Sequence, residues 1–370
     1  MKLYWRPGKI SNASLTALAI LAVLAIIIVE KNKVVIKQPY YDAKVRAANL
    51  QMRGMEVIKA EVLSKRKKID KFADPAESGM IGTSLSPITS VVGYLDAKQT
   101  SINPNFAAVV IDMLGKVGVS EGDYVAIGGS GSFPSLNLAA FVACKVMKLN
   151  CVPIMSVSAS MYGANDPRLT WLDMERLLYN AGIIDHRSIA TSIGGKDDNA
   201  EQLPEAGVEL AIAAATRNKV PLIRTGSLIG NIDERMRLFE AAAGDKSYKV
   251  YINIGGGEAS GGSHLTRSLF RPGVNKRLPR KASDEEGAML RMMRDFGTPA
   301  IHLSGVTKIA ERYGLEVAPK KMPVPGEGQL FYNLQYNLVL VAILLAVLIL
   351  ATVLVIQFDI GRYIGRIQQK

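Results

Sequence analysis

Two uninterrupted apolar runs stand at opposite ends of the chain, residues 13–29 (ASLTALAILAVLAIIIV) and 338–356 (LVLVAILLAVLILATVLVI), and neither contains a charged residue. At a helical rise of roughly 1.5 Å per residue they reach about 25–29 Å, against roughly 30 Å for a bilayer core. A lone segment in lipid must pair its own N–H and C=O groups, which only a helix does. Both runs are therefore expected to be transmembrane helices. After the first, Val45, Ala48, Met52, Met55, Ile58, Val62 and Ile69 recur at spacings near three and four. That period predicts an amphipathic helix over 41–71, beside the membrane. Asp74-Pro75 and Ser78-Gly79 end it, because proline disfavours helical geometry in the residue before it.

Further along, helical periods alternate with short runs of branched residues. The pattern predicts strands at 123–127, 151–157, 187–193, 221–224, 249–254 and 300–303. Helices are expected at 103–117, 136–147, 170–181, 205–219, 232–243, 284–296 and 306–313. Alternation of this kind implies a mostly parallel sheet with helices on both faces, an open doubly wound α/β domain. Ligands of such sheets bind outside the carboxyl ends of the strands. The chain then divides into a short basic tail (1–12), a span (13–29), a membrane-proximal helix and linker (30–78), the α/β domain (79–319), a proline- and glycine-bearing linker (320–337), a second span (338–356) and a basic tail (357–370).

Charge bears on orientation. Arg362, Arg366 and Lys370 follow the second span, whereas 322–336 holds no Lys or Arg; by the positive-inside rule the C-terminus is cytoplasmic. The first span is ambiguous on this rule, because Lys31, Lys33 and Lys37 follow it about as densely as Lys2, Arg6 and Lys9 precede it. A cleaved signal peptide is the alternative for that span. Its length and its end in IIIVEKNK favour an uncleaved anchor. Two spans put both termini on one side, so the large domain is expected to be extracytoplasmic.

The formal charge is +12. Setting aside the six terminal cations just named, and Asp359, leaves 39 basic and 32 acidic residues, a charge of +7 for the intervening chain. Six cations and no acid fall within 267–281 (RSLFRPGVNKRLPRK), which Pro272, Gly273 and Pro279 mark as a loop. Arg267, Arg271, Lys276 and Arg277 there are candidate polyanion ligands. KRKK at 65–68 reads more simply as a solvated face or a contact with anionic lipid. No aromatic interleaving or nucleic-acid motif accompanies the charge, so nucleic acid is not an expected partner. Cys144 and Cys151 form no CxxC and read most simply as unpaired, buried small hydrophobes, with a disulfide as the alternative. Three His and two Cys give no ligand-spaced group; neither a metal nor a cofactor is expected.

The unusual residues follow the expected strands. The strand at 123–127 leads into GGSGSFPSLN (128–137), where Gly129 and Gly131 would let the backbone approach a ligand. Ser130 or Ser132 would serve as nucleophile or as an anion donor; a capped strand-to-helix turn is the plainer alternative. The order fits neither the nucleophile elbow nor a P-loop or dinucleotide fingerprint. After the next strand, Asn165-Asp166-Pro167 is a turn signal, Thr170 a candidate helix cap, and Asp166 a candidate active carboxylate. GGGEASGGSH (255–264) follows the strand at 249–254 and offers Gly255, Gly256 and Gly257 as backbone donors, with Glu258 and His264. Ser130 or Ser132, with Asp166 or Glu258 and with His264, would make a hydrolase-like set if the fold unites them. His302 is a second candidate base, more simply a satisfied core histidine.

With GGSGSFPSLN, YGANDPRLTWLDME, YINIGGG and a span at each end, the chain resembles the poly-γ-glutamate system protein family over nearly its whole length. The resemblance implies a bacterial membrane system that makes and exports poly-γ-glutamate, beside an ATP-dependent ligase and small membrane partners. It supplies no catalytic residues. Nothing in the chain resembles the ligase itself, since no Walker-type sequence for ATP is present. The function expected is that of an accessory membrane component that binds or guides the anionic polymer next to the synthase. A Ser-dependent hydrolase or transferase acting on the polymer's amides is the alternative, and a receptor for a phosphorylated small molecule a second. Expected partners are poly-γ-glutamate or another polyanion, membrane lipid and the other membrane subunits.

Overall fold

Each apolar run, free of charged residues, forms one helix: Asn12–Lys31, capped by the Ser11 side chain, and Leu338–Phe358. Both are long and apolar enough to cross a membrane. The computed structural model describes residues 10–66, 68–282 and 285–358. Lys2, Arg6, Lys9, Lys67, Asp284, Arg362, Arg366 and Lys370, on which parts of the charge and helix expectations fall, lie outside the described residues.

In chain order the strands are β1 (Val34–Lys37), β2 (Tyr124–Ser130), β3 (Asn150–Ser156), β4 (Asn165–Asp166), β5 (Leu169–Thr170), β6 (Ala190–Ser192), β7 (Leu222–Ile223), β8 (Tyr248–Ile254), β9 (Gly273–Asn275), β10 (Ala300–Leu303) and β11 (Tyr332–Gln335). The chain forms two units, residues 1–38 with 332–370, and residues 39–331. In the first unit the two apolar helices pack on each other. There β1 pairs antiparallel with β11, from Val34 opposite Gln335 to Lys37 opposite Tyr332. Tyr332–Gln335, within the expected 320–337 linker, is thus strand.

The second unit is α/β. Its seven-stranded sheet runs β7-β6-β3-β2-β8-β10-β9, parallel throughout except for β9, which lies antiparallel on β10. From β2 the chain adds strands outward through β3, β6 and β7, then returns to β8 on the other flank of β2. Side chains alternate along a strand, and here both sets are buried. Val125, Ile127, Val250, Ile252, Ile254, Ile301 and Leu303 join one core, with Met55, Ile58, Val110 and Leu138 from three helices. Ala126, Ile154, Tyr251 and Ala300 join another, with Ile232, Phe239 and Met289. Burial on both faces explains why these strands read as continuous apolar runs.

Several elements depart from expectation. The predicted membrane-proximal helix is Tyr41–Arg66; Ala47, Ala48, Met55, Ile58 and Val62 bury it in the first core, so it belongs to the 39–331 body. β2 continues through Gly128 and Gly129 to Ser130, where a turn was expected. A Cβ on Gly129 would lie 2.9 Å from Met155 Cε and 3.0 Å from the Ile254 carbonyl oxygen, so the missing side chain admits close packing within the sheet. The basic stretch 267–281 is only partly loop, since it contains β9 and a 3-10 turn at Arg280–Ala282. Cys144 and Cys151 are bonded, across 6.2 Å between their Cα atoms. The disulfide joins the end of helix Pro134–Met147 to the start of β3, a proximity that sequence spacing alone left open.

Candidate functional site

A cleft of about 460 Å³ opens where β2, β3 and β8 end. Its wall takes Ser130 and Ser132 from the end of β2, and Ser156, Ser158 and Ser160 from the end of β3. Gly256, Gly257, Glu258, His264 and Arg267 come from beyond β8, and Lys98, Phe133 and Lys196 line it too, with Ser90, Tyr94 and Gln202. The position, outside the carboxyl ends and between the strands where the winding order reverses, is the one expected for a sheet of this class.

The serines form a connected set. Ser130 Oγ donates to Ser132 Oγ at 2.9 Å and accepts from the Ser132 backbone N–H at 3.3 Å. Ser132 Oγ also accepts the Ser160 backbone N–H at 3.1 Å. Asn137, in the helix that follows β2, donates to the Ser130 carbonyl at 2.9 Å and fixes the strand end.

Lys98 lies at the back of the cleft on helix Leu95–Ser101 and is only 2% exposed. Its Nζ donates to the Ser132 carbonyl oxygen, stands 2.7 Å from Ser160 Oγ and sits 3.9 Å from the centroid of the Phe133 ring. Among the described residues no carboxylate pairs with it. Burial without a counter-charge disfavours the ammonium, and the amine is pushed down to about 7. Arg267 is also shifted downward by burial, against the pull of Glu258, and its guanidinium donates to the Gly262 carbonyl.

Of the residues singled out from sequence, Ser130, Ser132, Gly256, Gly257, Glu258, His264 and Arg267 do line one cleft. No hydrogen bond among the described residues joins His264 to either serine. Glu258 is engaged, accepting the Asp197 backbone N–H at 2.6 Å. Asp166 does not join them. It stands outside the cleft, accepting from Arg66 at 2.9 Å and from Arg168 at 2.9 and 3.1 Å. Burial opposes its ionisation, but those arginines outweigh burial and hold the carboxyl well below the usual carboxylate range. Arg66 is correspondingly an internal partner and no part of a solvated KRKK face.

Asn165 is likewise structural, binding Thr83 through backbone N–H and C=O and Thr89 Oγ1. Gly129 and Gly131 are buried packing positions. Gly255, at φ +75°, has its Cβ direction filled by the Phe133 ring at 3.3 Å. Arg271, Lys276 and Arg277 are exposed and outside the cleft lining. Thr170 does cap its helix, in a box with Asp173. His302 is enclosed between Asn253 and Ser304, and burial, aided by the Arg267 charge, pushes it down to about 4. Among the described residues no cluster of His, Cys, Asp and Glu is arranged to hold a metal.

Sequence reasoning passed over Lys98, Ser160 and the serine alternation. SVSAS places a hydroxyl at every second residue from 156 to 160, the period that aligns side chains on one face of an extended chain. No family model and no curated protein matches the chain. A crystal structure of apo Escherichia coli diaminopropionate ammonia lyase is similar over 73% of this chain and 74% of that one, at 11% identity and a TM-score of 0.17. A score that low carries no argument about fold or chemistry.

Proposed function

We propose that this protein is a membrane-anchored accessory component of bacterial poly-γ-glutamate synthesis and export, whose doubly wound domain binds the anionic polymer beside the synthase. The observation that carries the binding is a run of unpaired cations. Arg271, Lys276 and Arg277 are exposed and have no acidic partner among the described residues, and they continue the chain from Arg267 in the cleft. A polymer with one carboxylate per residue is a matching ligand, because each carboxylate accepts charge-assisted hydrogen bonds from such groups. The two apolar helices support anchoring in the cytoplasmic membrane. The Cys144–Cys151 bond supports an extracytoplasmic domain, since disulfides persist in oxidising compartments. Family membership rests on the sequence resemblance.

The test is binding of poly-γ-glutamate to the full chain in mild detergent, at several salt concentrations. Affinity is expected to fall with salt, as exposed charges are screened within roughly 8–10 Å near physiological ionic strength. The combined reversal Arg271→Glu, Lys276→Glu and Arg277→Glu is expected to weaken binding at least tenfold. Unchanged affinity in that variant refutes the proposal.

A further inference from the structure

We infer that Ser160 and Lys98 form an acyl-transfer centre in the cleft, with Ser160 Oγ as nucleophile and Lys98 Nζ as its general base. The centre acts on amide bonds. That the amide is a γ-glutamyl one rests on the function proposed above; the chemistry itself does not.

Lys98 Nζ and Ser160 Oγ are 2.7 Å apart, within the reach that proton transfer requires. Both groups border the cleft, so a bound carbonyl has access to the hydroxyl. The amine is oriented from two other directions, by the Ser132 carbonyl that accepts its N–H and by the Phe133 ring on which it rests. With those contacts made, the lone pair of the neutral amine is directed to Ser160. A lysine buried without a carboxylate is the form in which this side chain acts as a base, and its downward shift to about 7 keeps that form populated at neutral pH. The other charged groups in the cleft are Lys196, Glu258, His264 and Arg267.

Ser132 supplies a further part. Its Oγ already accepts two hydrogen bonds, from the Ser130 hydroxyl and the Ser160 backbone N–H. Both lone-pair directions are therefore used, and its own proton remains to donate. That proton is a donor for the developing oxyanion. Arg267, in the same cleft, matches a carboxylate of the substrate.

The Ser160 hydroxyl proton passes to Lys98 Nζ while Oγ bonds to the amide carbon. The tetrahedral adduct collapses with cleavage of the C–N bond, the Lys98 proton leaves with the amine, and an ester remains on Ser160. Water then gives a proton to Lys98 and its oxygen to the carbonyl. The ester bond breaks, the proton returns to Ser160, and a carboxylic acid is released. An amine in place of water would give transfer.

The test uses the full chain in detergent with a fluorophosphonate, which reacts with activated serines irrespective of the polymer. One adduct is expected, on Ser160 by peptide mapping, forming faster as pH rises through about 7. Ser160→Ala abolishes it while the variant still unfolds in one cooperative transition, and Lys98→Met slows it at least a hundredfold, the size usual for loss of a general base. Undiminished labelling of Ser160→Ala, an adduct on Ser132 instead, or no labelling between pH 6 and 10 would overturn the assignment. Because the reagent is no polymer, loss of polyglutamate binding and loss of labelling are separate results.

Discussion

The burial of Lys98 can be weighed without any substrate. Consider Lys98→Met, a substitution of similar length that removes the charge. In the folded protein burial brings the amine from 10.5 down to about 7, while in the unfolded chain it keeps its ordinary value. The interval is about 3.5 pH units, and at about 1.36 kcal/mol per unit the protonated lysine costs the fold up to about 5 kcal/mol. Between pH 7 and 10.5 the unfolded chain binds the proton and the folded one does not. Stability of the parent therefore rises with pH across that window, a component Lys98→Met lacks. The substitution also strips a partner from Ser160 Oγ and the Ser132 carbonyl, at roughly 1–3 kcal/mol for each group left unsatisfied, but this loss does not vary with pH. The measurement is urea or thermal unfolding of both full-length proteins in detergent, by circular dichroism, from pH 6 to 10.5. The difference between variant and parent is expected to favour the variant most at pH 6 and to shift toward the parent by several kcal/mol at the alkaline end. A difference that stays constant with pH would refute the claim that Lys98 is an uncompensated buried amine.

Other expectations follow from groups away from the cleft. Glu175 accepts both the backbone N–H and the hydroxyl of Ser188 at 2.7 Å, yet burial pushes its carboxyl up to about 7. Its contribution to stability is full below about 4.5 and is lost as pH rises through 7, so Glu175→Gln should gain on the parent between pH 5 and 8 in unfolding experiments; a parallel profile refutes this. Asp166→Asn should cost roughly 1–3 kcal/mol at pH 7 by loosening Arg66 and Arg168, a loss that shrinks only in strong acid, while fluorophosphonate labelling persists. Loss of labelling would restore Asp166 to the active set. Cys144→Ser opens a closed loop of about eight residues, worth about 2.5 kcal/mol on the chain-entropy relation, and unfolding midpoints with and without reductant read it directly.

The sheet was legible because its strands are covered on both sides. Runs such as VAI at 125–127 and YINI at 251–254 have no solvent-facing positions, and only the buried Asn253 breaks their apolar character. β9 was not legible, since three residues on an edge give no period to detect. Gly128 and Gly129 misled because glycine permits a turn and also permits close packing, and only the neighbours Met155 and Ile254 decide between them. Asp166 looked free because its partner Arg66 is a hundred residues away in sequence. The opposite error hid Lys98: in LDAKQTS nothing marks a lysine as interior, and its enclosure comes from Ser132, Phe133 and Ser160, brought from two other segments. The serine alternation at 156–160 was visible in the sequence, and its significance emerged only once Ser130 and Ser132 stood beside it.

The pairing of β1 with β11 has a mechanical corollary. It zips the outgoing and returning strands together, at the roughly 4.8 Å separation of neighbouring strands, before the chain enters and after it leaves the body between 39 and 331. Removal of the first apolar helix by proteolysis would leave that clasp whole, with the new end still stitched to the segment that runs into the second. On the anchoring proposed above, retention at the bilayer would then depend on one helix in place of two, and a single cut would not set the body adrift.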